Sequence, residues 1–457
     1  MIKKTAALTE GSLNRQLFSL SWPNIGGMLG IMIFNLTDTF FVSRLGTEAL
    51  AAMGYTFPVV MFVGSAAAGI SLGAGSVLSR AIGKGDHHLM QRTATDGILL
   101  SVLFVALIST AGLLTLDPLF RLLGASGESL VLVKDYMFIW FLGAITIIMP
   151  PTSDSCLRAT GDMIRPFIVM MICAVGNVIL DPIFIFGYFG VPAMGIQGAA
   201  LATVLSRFAG MLATLGFLHF HARLVDFSRP RFKEILESWG RILHVGIPAA
   251  LTQLMPHVTR AVLTSLAAAA GGAATVAALA AGTRIEGFIQ IFMMSYSMAL
   301  IPLVGQNWGA GKTDRVMAIQ KKSVRLAFIL GAVTFLLQLL LSGFLARIFS
   351  SDPQVISHIR LYLIVTGAAS GGLCYMTWVN QSLNASGHPL ASARLNAVSF
   401  ILITIPLAIV GSRLAGFKGI LGALAAGQLM GALWAHGEGS RIFRHSTPAP
   451  GTGEIEV

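Results

Sequence analysis

Between Leu17 and Gly46 the chain reads LFSLSWPNIGGMLGIMIFNLTDTFFVSRLG. The run is longer than the roughly 20 residues that, at about 1.5 Å each, cross the hydrocarbon core of a bilayer. Two residues inside it are out of place in a plain anchor. Pro23 has no backbone N–H to donate and clashes with the preceding turn, which predicts a kink or hinge. Asp38 stands among Phe34, Phe40, Phe41 and Val42. An ionisable group in an apolar span is costly, and by default it marks a functional site facing a cavity. Two readings of Asp38 are open: a helix-end residue at the water interface, or a protonatable switch on a bendable helix.

Similar runs fill the chain. Hydrophobic residues make up 55% and charged residues 11%, with a mean hydropathy of +0.77. A soluble domain carries about 25% charged residues, so this is a polytopic, all-α integral membrane protein. Spans are predicted near 17–42, 50–78, 94–116, 134–156, 166–187, 195–219, 244–270, 274–304, 324–346, 359–382, 395–412 and 419–436. The glycine and phenylalanine content suits close helix packing in lipid. Cys156, Cys173 and Cys374 lie in or beside apolar stretches without paired spacing, so neither a disulfide framework nor a metal cluster is expected. The first apolar segment is too long for a signal peptide and lacks a small-residue cleavage site, so it should remain as the first span.

The net charge of +11 raises the question of nucleic acid, and its distribution answers it. With the spans threaded alternately, Lys and Arg fall 21 on one side and 7 on the other. Arg207, Arg260 and Arg284 lie within spans and complete the 31. The positive-inside rule then puts both termini in the cytoplasm of a bacterial inner membrane. The basic excess is topological, and no nucleic-acid partner is expected.

The chain repeats itself. Ile82-Gly-Lys-Gly85 is answered by Trp308-Gly-Ala-Gly311, and Arg158-Ala-Thr-Gly-Asp162 by Asn384-Ala-Ser-Gly-His388. Tyr136 is answered by Tyr362, Gly195-Ile-Gln-Gly-Ala199 by Gly419-Ile-Leu-Gly-Ala423, and Pro23 by Pro248. The offsets all lie between 224 and 226, which indicates duplicated halves. Each half holds six spans, an even number, so both thread the membrane in the same sense. The expected fold is two six-helix lobes related by a pseudo-two-fold axis along the membrane normal, with a cavity between them. The corresponding division is an N-terminal lobe at 1–219, a cytoplasmic linker at 220–243, a C-terminal lobe at 244–440 and a disordered tail at 441–457. The linker, with Phe232 and Trp239 among its charges, reads equally as an interfacial helix or a solvated connector. The duplication is chemically lopsided: Asp38 maps to Thr264 and Asp181 to Leu407. A titratable site therefore belongs to the first half.

Several stretches carry a resemblance. Asn35-Leu-Thr-Asp38 is followed by Ser43-Arg-Leu-Gly46, and Arg158-Ala-Thr-Gly-Asp-Met-Ile-Arg-Pro166 by Asn177-Val-Ile-Leu-Asp-Pro-Ile-Phe-Ile-Phe-Gly187. Gly195-Ile-Gln-Gly-Ala-Ala200 and Thr283-Arg-Ile-Glu286 add to them. Over nearly its whole length the chain resembles the multidrug and toxic compound extrusion (MATE) transporters. It is most similar to the branch named after a DNA-damage-inducible transporter, not the sodium-linked branch. The resemblance implies proton coupling through Asp38, with Pro23 letting the first helix bend. Asn177 and Asp181 are implied as partners on the fifth helix, Tyr136 as lining the same pocket, and Thr203 more loosely. Phe34 is a departure, because some relatives carry a tyrosine there and its hydrogen bond is lost.

The residues themselves fit that reading. Asn177 and Asp181, four apart, share one helix face. If Asp38 and Asp181 occupy one dry cavity, they compete for protons and titrate as a unit. Protonation from outside would rearrange the bonds of Asp38, bend the first helix at Pro23 and shrink the cavity, and a cationic substrate would compete for the same carboxylates. Asp181 also reads as a plain helix-terminal residue ahead of Pro182. Arg284 and Glu286, two apart, point to different sides and suggest either structural pairing or a second-half cavity. His257 and Arg260 invite the same question. Phe34, Met28, Met32 and Met293, with Met294 and Met298, are candidates for a pliable substrate cavity, against the alternative of core packing. No nucleotide-binding motif accompanies Gly83-Lys84-Gly85, so coupling should come from an ion gradient.

The expected protein is thus a secondary active exporter of amphipathic, often cationic compounds, monomeric in the lipid bilayer and without a cofactor. Sodium held by Asp38, Asn177 and Asp181 is the alternative coupling ion. A lipid-linked oligosaccharide flippase is a more distant alternative, since it needs a large basic groove and the spans supply three arginines. An enzyme is not expected, because no nucleophile–base set or metal-ligand spacing lies within the spans.

Overall fold

The structure is a computed structural model that describes residues 7–225 and 232–445. The remaining part of the predicted linker, the predicted tail beyond 445, and Lys3, Lys4, Arg229 and Arg231 of the charge count lie outside the described residues. The regular structure of the described residues is helical. The first half contains α1 (Leu13–Ser43), α2 (Thr47–Lys84), α3 (His87–Leu114), α4 (Leu116–Leu122), α5 (Gly127–Leu142), α6 (Ile145–Ala159), α7 (Ile164–Phe186) and α8 (Gly195–Gly216). The second contains α9 (Phe232–Gly309), α10 (Thr313–Phe349), α11 (Pro353–Ser386), α12 (Pro389–Asn396) and α13 (Ile405–His445).

Nine helical segments among the described residues are long and apolar enough to span a bilayer, and ten if α5 and α6, bent by 47°, make one broken span. Two of the ten contain a break. In α9 the helix is interrupted at Gly271 and Gly272, and in α13 at Gly416. Gly272 and Gly416 have φ of +62° and +58°, a region that glycine enters without a Cβ penalty. Counting two passes for each interrupted helix gives twelve, six up to α8 and six from α9 onward, in agreement with the sequence expectation.

Clustering of the described residues gives two compact units. Phe18–Ile82 and Asp86–Ala250 form the first, while residues 7–17, 83–85 and those from Leu251 onward form the second. The leading turns of α9, residues 232–243 of the predicted linker, thus belong to the first unit. There the Trp239 indole donates to the backbone carbonyl of Asp96 at 2.9 Å, beside a buried Arg92–Asp96 ion pair of 2.6 Å on α3. Arg92, counted among the cytoplasmic charges, is buried.

Helix packing in the first unit depends on small residues. A Cβ on Gly69 would lie 2.4 Å from the Gly246 carbonyl, and one on Gly73 would lie 2.3 Å from the Ile242 carbonyl. One turn apart on α2, the two glycines let backbone meet backbone, the way membrane helices associate in lipid. On the other side, Val133, Tyr136, Met137 and Trp140 of α5 pack with Ala199 and Ala200 of α8 in one apolar core. That packing carries α5 and α8 into the region where the site lies.

Candidate functional site

α1 runs without interruption across Pro23. Fifteen residues on, it delivers Asp38 to a position 8% exposed, so Asp38 is buried. α7 places Asn177 and Asp181 one turn apart with no exposed surface at all, and the Asn177 amide donates to Asp181 Oδ1 at 2.9 Å. α5 brings the buried Tyr136 within electrostatic reach of Asp38, Asp181 and Arg207, and Asp181 in turn lies within reach of Asp38. α8 supplies the buried Thr203.

Four oxygens of this group find no donor among the described residues: Asp38 Oδ1, Asn177 Oδ1, Asp181 Oδ2 and Thr203 Oγ1. A buried acceptor without a partner is costly. Four of them from two carboxylates, an amide and a hydroxyl form a set that protons or a hard cation would satisfy.

Arg207 completes the site and was read from the sequence only as a charge within a span. It lies one turn after Thr203 on α8, its charge acts on Asp38, and its guanidinium stacks 5.0 Å from the Phe34 ring. Phe34, buried at 7% exposure, is therefore the aromatic seat of the counter-charge to Asp38. The four-residue spacing from Thr203 was the signal that could have found it.

A second polar contact holds α1 near its proline. The Arg158 guanidinium donates to Asn24 Oδ1, Asn24 donates back to the Leu20 carbonyl at 2.9 Å, and Thr214 donates to Asp154 at 3.1 Å. Arg158 lies within electrostatic reach of Asp154. The residue next to the predicted hinge is thus tied to α6. Met28 and Met32 are half-buried on α1.

In the second unit the position equivalent to Tyr136 is again a buried tyrosine. Tyr362 donates its hydroxyl to Glu286 Oε2 at 2.6 Å, and Gln290 donates to Glu286 Oε1 at 3.1 Å. Glu286 is buried, while Arg284 is exposed and forms no ion pair among the described residues. Met293 is 5% exposed, and its carbonyl accepts the Trp378 indole N–H at 2.9 Å. Met294 is the exposed neighbour.

A twelve-pass helical protein with duplicated halves and a buried carboxylate pair in the first belongs to the class of secondary membrane transporters. The comparisons narrow this. The MatE family profile matches the chain twice, over residues 23–183 and 248–410. The two matches begin at Pro23 and Pro248, the prolines that open the repeat. The chain belongs to the MatE family of multidrug and toxic compound extrusion transporters. It is 35% identical to a Shewanella oneidensis protein described as an FAD transporter, over 94% of this chain and 95% of that one. It is 27% identical to a Thermotoga maritima protein described as a probable multidrug resistance protein NorM, over 87% and 85%. Among solved structures it matches the Vibrio cholerae MATE transporter VcmN in the bent form, with a TM-score of 0.88, 27% identity and coverage of 97% and 98%.

Proposed function

We propose that this chain is a proton-coupled exporter of amphipathic compounds, acting as a monomer in a bacterial inner membrane with both termini cytoplasmic, and that it transports without enzymatic chemistry. The observation that carries the proposal is the four unsatisfied buried oxygens on Asp38, Asn177, Asp181 and Thr203, with the charge of Arg207 acting on Asp38. Two carboxylates with one nearby cation bind a proton at a cost that depends on how α1 holds Asp38. The neighbour of Pro23, Asn24, is anchored to Arg158, so bending at the proline moves Asp38 against a fixed frame. Protonation from outside neutralises Asp38, removes its attraction to Arg207 and to any cationic substrate, and releases the substrate outward. A hard cation at the same oxygens is the alternative, and it is tested together with the proton. In inside-out vesicles loaded with this protein, a proton gradient should drive uptake of a fluorescent cationic dye, and a protonophore should abolish it. Uptake driven by sodium alone, indifferent to the protonophore, would overturn proton coupling.

A second reading of the substrate is supported by the 35% identity to an FAD transporter and by Arg260 and Arg284 in the spans of the second unit. On this reading the chain exports a flavin dinucleotide or a related aromatic phosphate compound.

A further inference from the structure

Span seven, the arm of α9 before Gly271, has two exposed sides of opposite character. At 100° per residue, Gln253, His257, Arg260 and Thr264 fall on one face, and Gln253, His257 and Arg260 are exposed. Ile247, Leu251 and Val258, also exposed, fall on the opposite face. The apolar side suits lipid. The side with the guanidinium does not, because an unpaired arginine deep in hydrocarbon is expensive and such residues face water-filled cavities or partners.

The second arm of α9 carries a matching charge. Arg260 lies twelve residues before Gly272 and Arg284 twelve after it. At about 1.5 Å per residue both stand roughly 18 Å from the break, near the middle of a core about 30 Å thick. Neither has an ion-pair partner among the described residues. Glu286, two residues beyond Arg284, has one oxygen taken by Tyr362 and the other by Gln290. Arg260 sits within electrostatic reach of that tyrosine. One turn and two turns beyond Arg284 on the same face are Phe288 and Phe292, 50% and 56% exposed.

We propose that Arg260 and Arg284 form an anion-recognition subsite in the second unit, and that its ligand is the phosphate portion of an aromatic substrate whose ring stacks on Phe288 or Phe292. The inference rests on the second reading of the substrate given above. Guanidinium groups match phosphate oxygens as paired donors, and a phenylalanine face accepts a flat heterocycle. The two Glu286 oxygens accept from Tyr362 and Gln290, and neither is bonded to an arginine among the described residues. The site is of opposite sign to the carboxylate pair of the first unit.

The test is binding to the purified full-length protein in lipid nanodiscs, read by flavin fluorescence, with FAD and riboflavin as probes. Riboflavin carries the same ring system without phosphate. The wild type should bind FAD at least tenfold more tightly than riboflavin. Arg260→Gln combined with Arg284→Gln should remove that preference and leave riboflavin binding within about twofold. Arg260→Lys with Arg284→Lys, which keeps the charge, should retain part of the preference. Thermal unfolding serves as the folding control, and if the double glutamine variant is unfolded, the two single variants decide. Wild type that binds neither flavin overturns the flavin reading and the subsite together. Wild type that prefers FAD equally with and without the arginines overturns the subsite alone.

Discussion

Asn177 gives its side-chain amide to Asp181 Oδ1 at 2.9 Å across one turn of α7, with both side chains wholly buried. That donation is what keeps a carboxylate tolerable in the interior of the first unit. Asn177→Leu leaves the Asp181 carboxylate without this donor, a loss of about 1–3 kcal/mol for a buried group. The variant should melt at a lower temperature in detergent and lose proton-driven efflux. An unchanged melting curve would show that the bond does not hold the site.

Arg207 acts on Asp38 from α8 while stacking on Phe34. Arg207→Gln removes the cation that opposes Asp38, and gradient-driven efflux should fall about tenfold, equivalent to about 1.4 kcal/mol. Arg207→Lys keeps the charge but loses the planar stack, so it should fall between the two. Glutamine as active as arginine would remove Arg207 from the coupling site.

Gly73 brings α2 onto the Ile242 carbonyl, where a Cβ would meet it at 2.3 Å. Gly73→Val pushes backbone from backbone and should destabilise the protein by about 1–3 kcal/mol, the usual range for overpacking. The readout is the thermal unfolding midpoint in detergent. Gly54→Ala, on the same helix with open space around its Cβ position, is the control and should leave the midpoint in place.

Outside the spans, Asp117 on α4 accepts from Arg121 and, at 2.9 Å, from Lys134. The Arg121 hydrogen bond first, and the Lys134 bond next, pull its carboxyl from the ordinary 3.8 down to about 2. A depressed folded value means that the contribution of this carboxylate is present above about pH 4 and lost as the pH falls through about 2. Asp117→Asn should therefore lower the melting temperature slightly at pH 7 and make no difference near pH 2. The pair is exposed, so the effect at neutral pH is small and shrinks further in high salt.

The sequence revealed what depends on local spacing. Asn177 and Asp181 share a helix face because they are four apart, and the repeat that aligns Pro23 with Pro248 returned as two matches to one family profile. Contacts across the chain were not legible. Glu286 meets Tyr362 over 76 residues, and nothing in the pattern around either residue announces the other. Arg207 was within reach of spacing arguments, yet an arginine in a span says nothing about which carboxylate it faces until α1 and α8 are packed. Arg92 was counted as a cytoplasmic charge because it precedes the third predicted span, and it is buried where Asp96 follows one turn later and the leading turns of α9 reach the pair. The methionines show the same limit. Composition makes Met293 and Met294 equivalent, while the fold buries one and leaves the other exposed.

The central claim is that Asp38 carries the coupling proton. Its most direct test compares wild type and Asp38→Asn in proteoliposomes, measuring dye efflux under an imposed proton gradient and dye binding without one. Asparagine preserves the shape of the side chain and removes the titration. The account predicts that gradient-driven efflux disappears while the variant still binds dye and melts within a few degrees of wild type. Efflux by Asp38→Asn at the wild-type rate under the same gradient would contradict it.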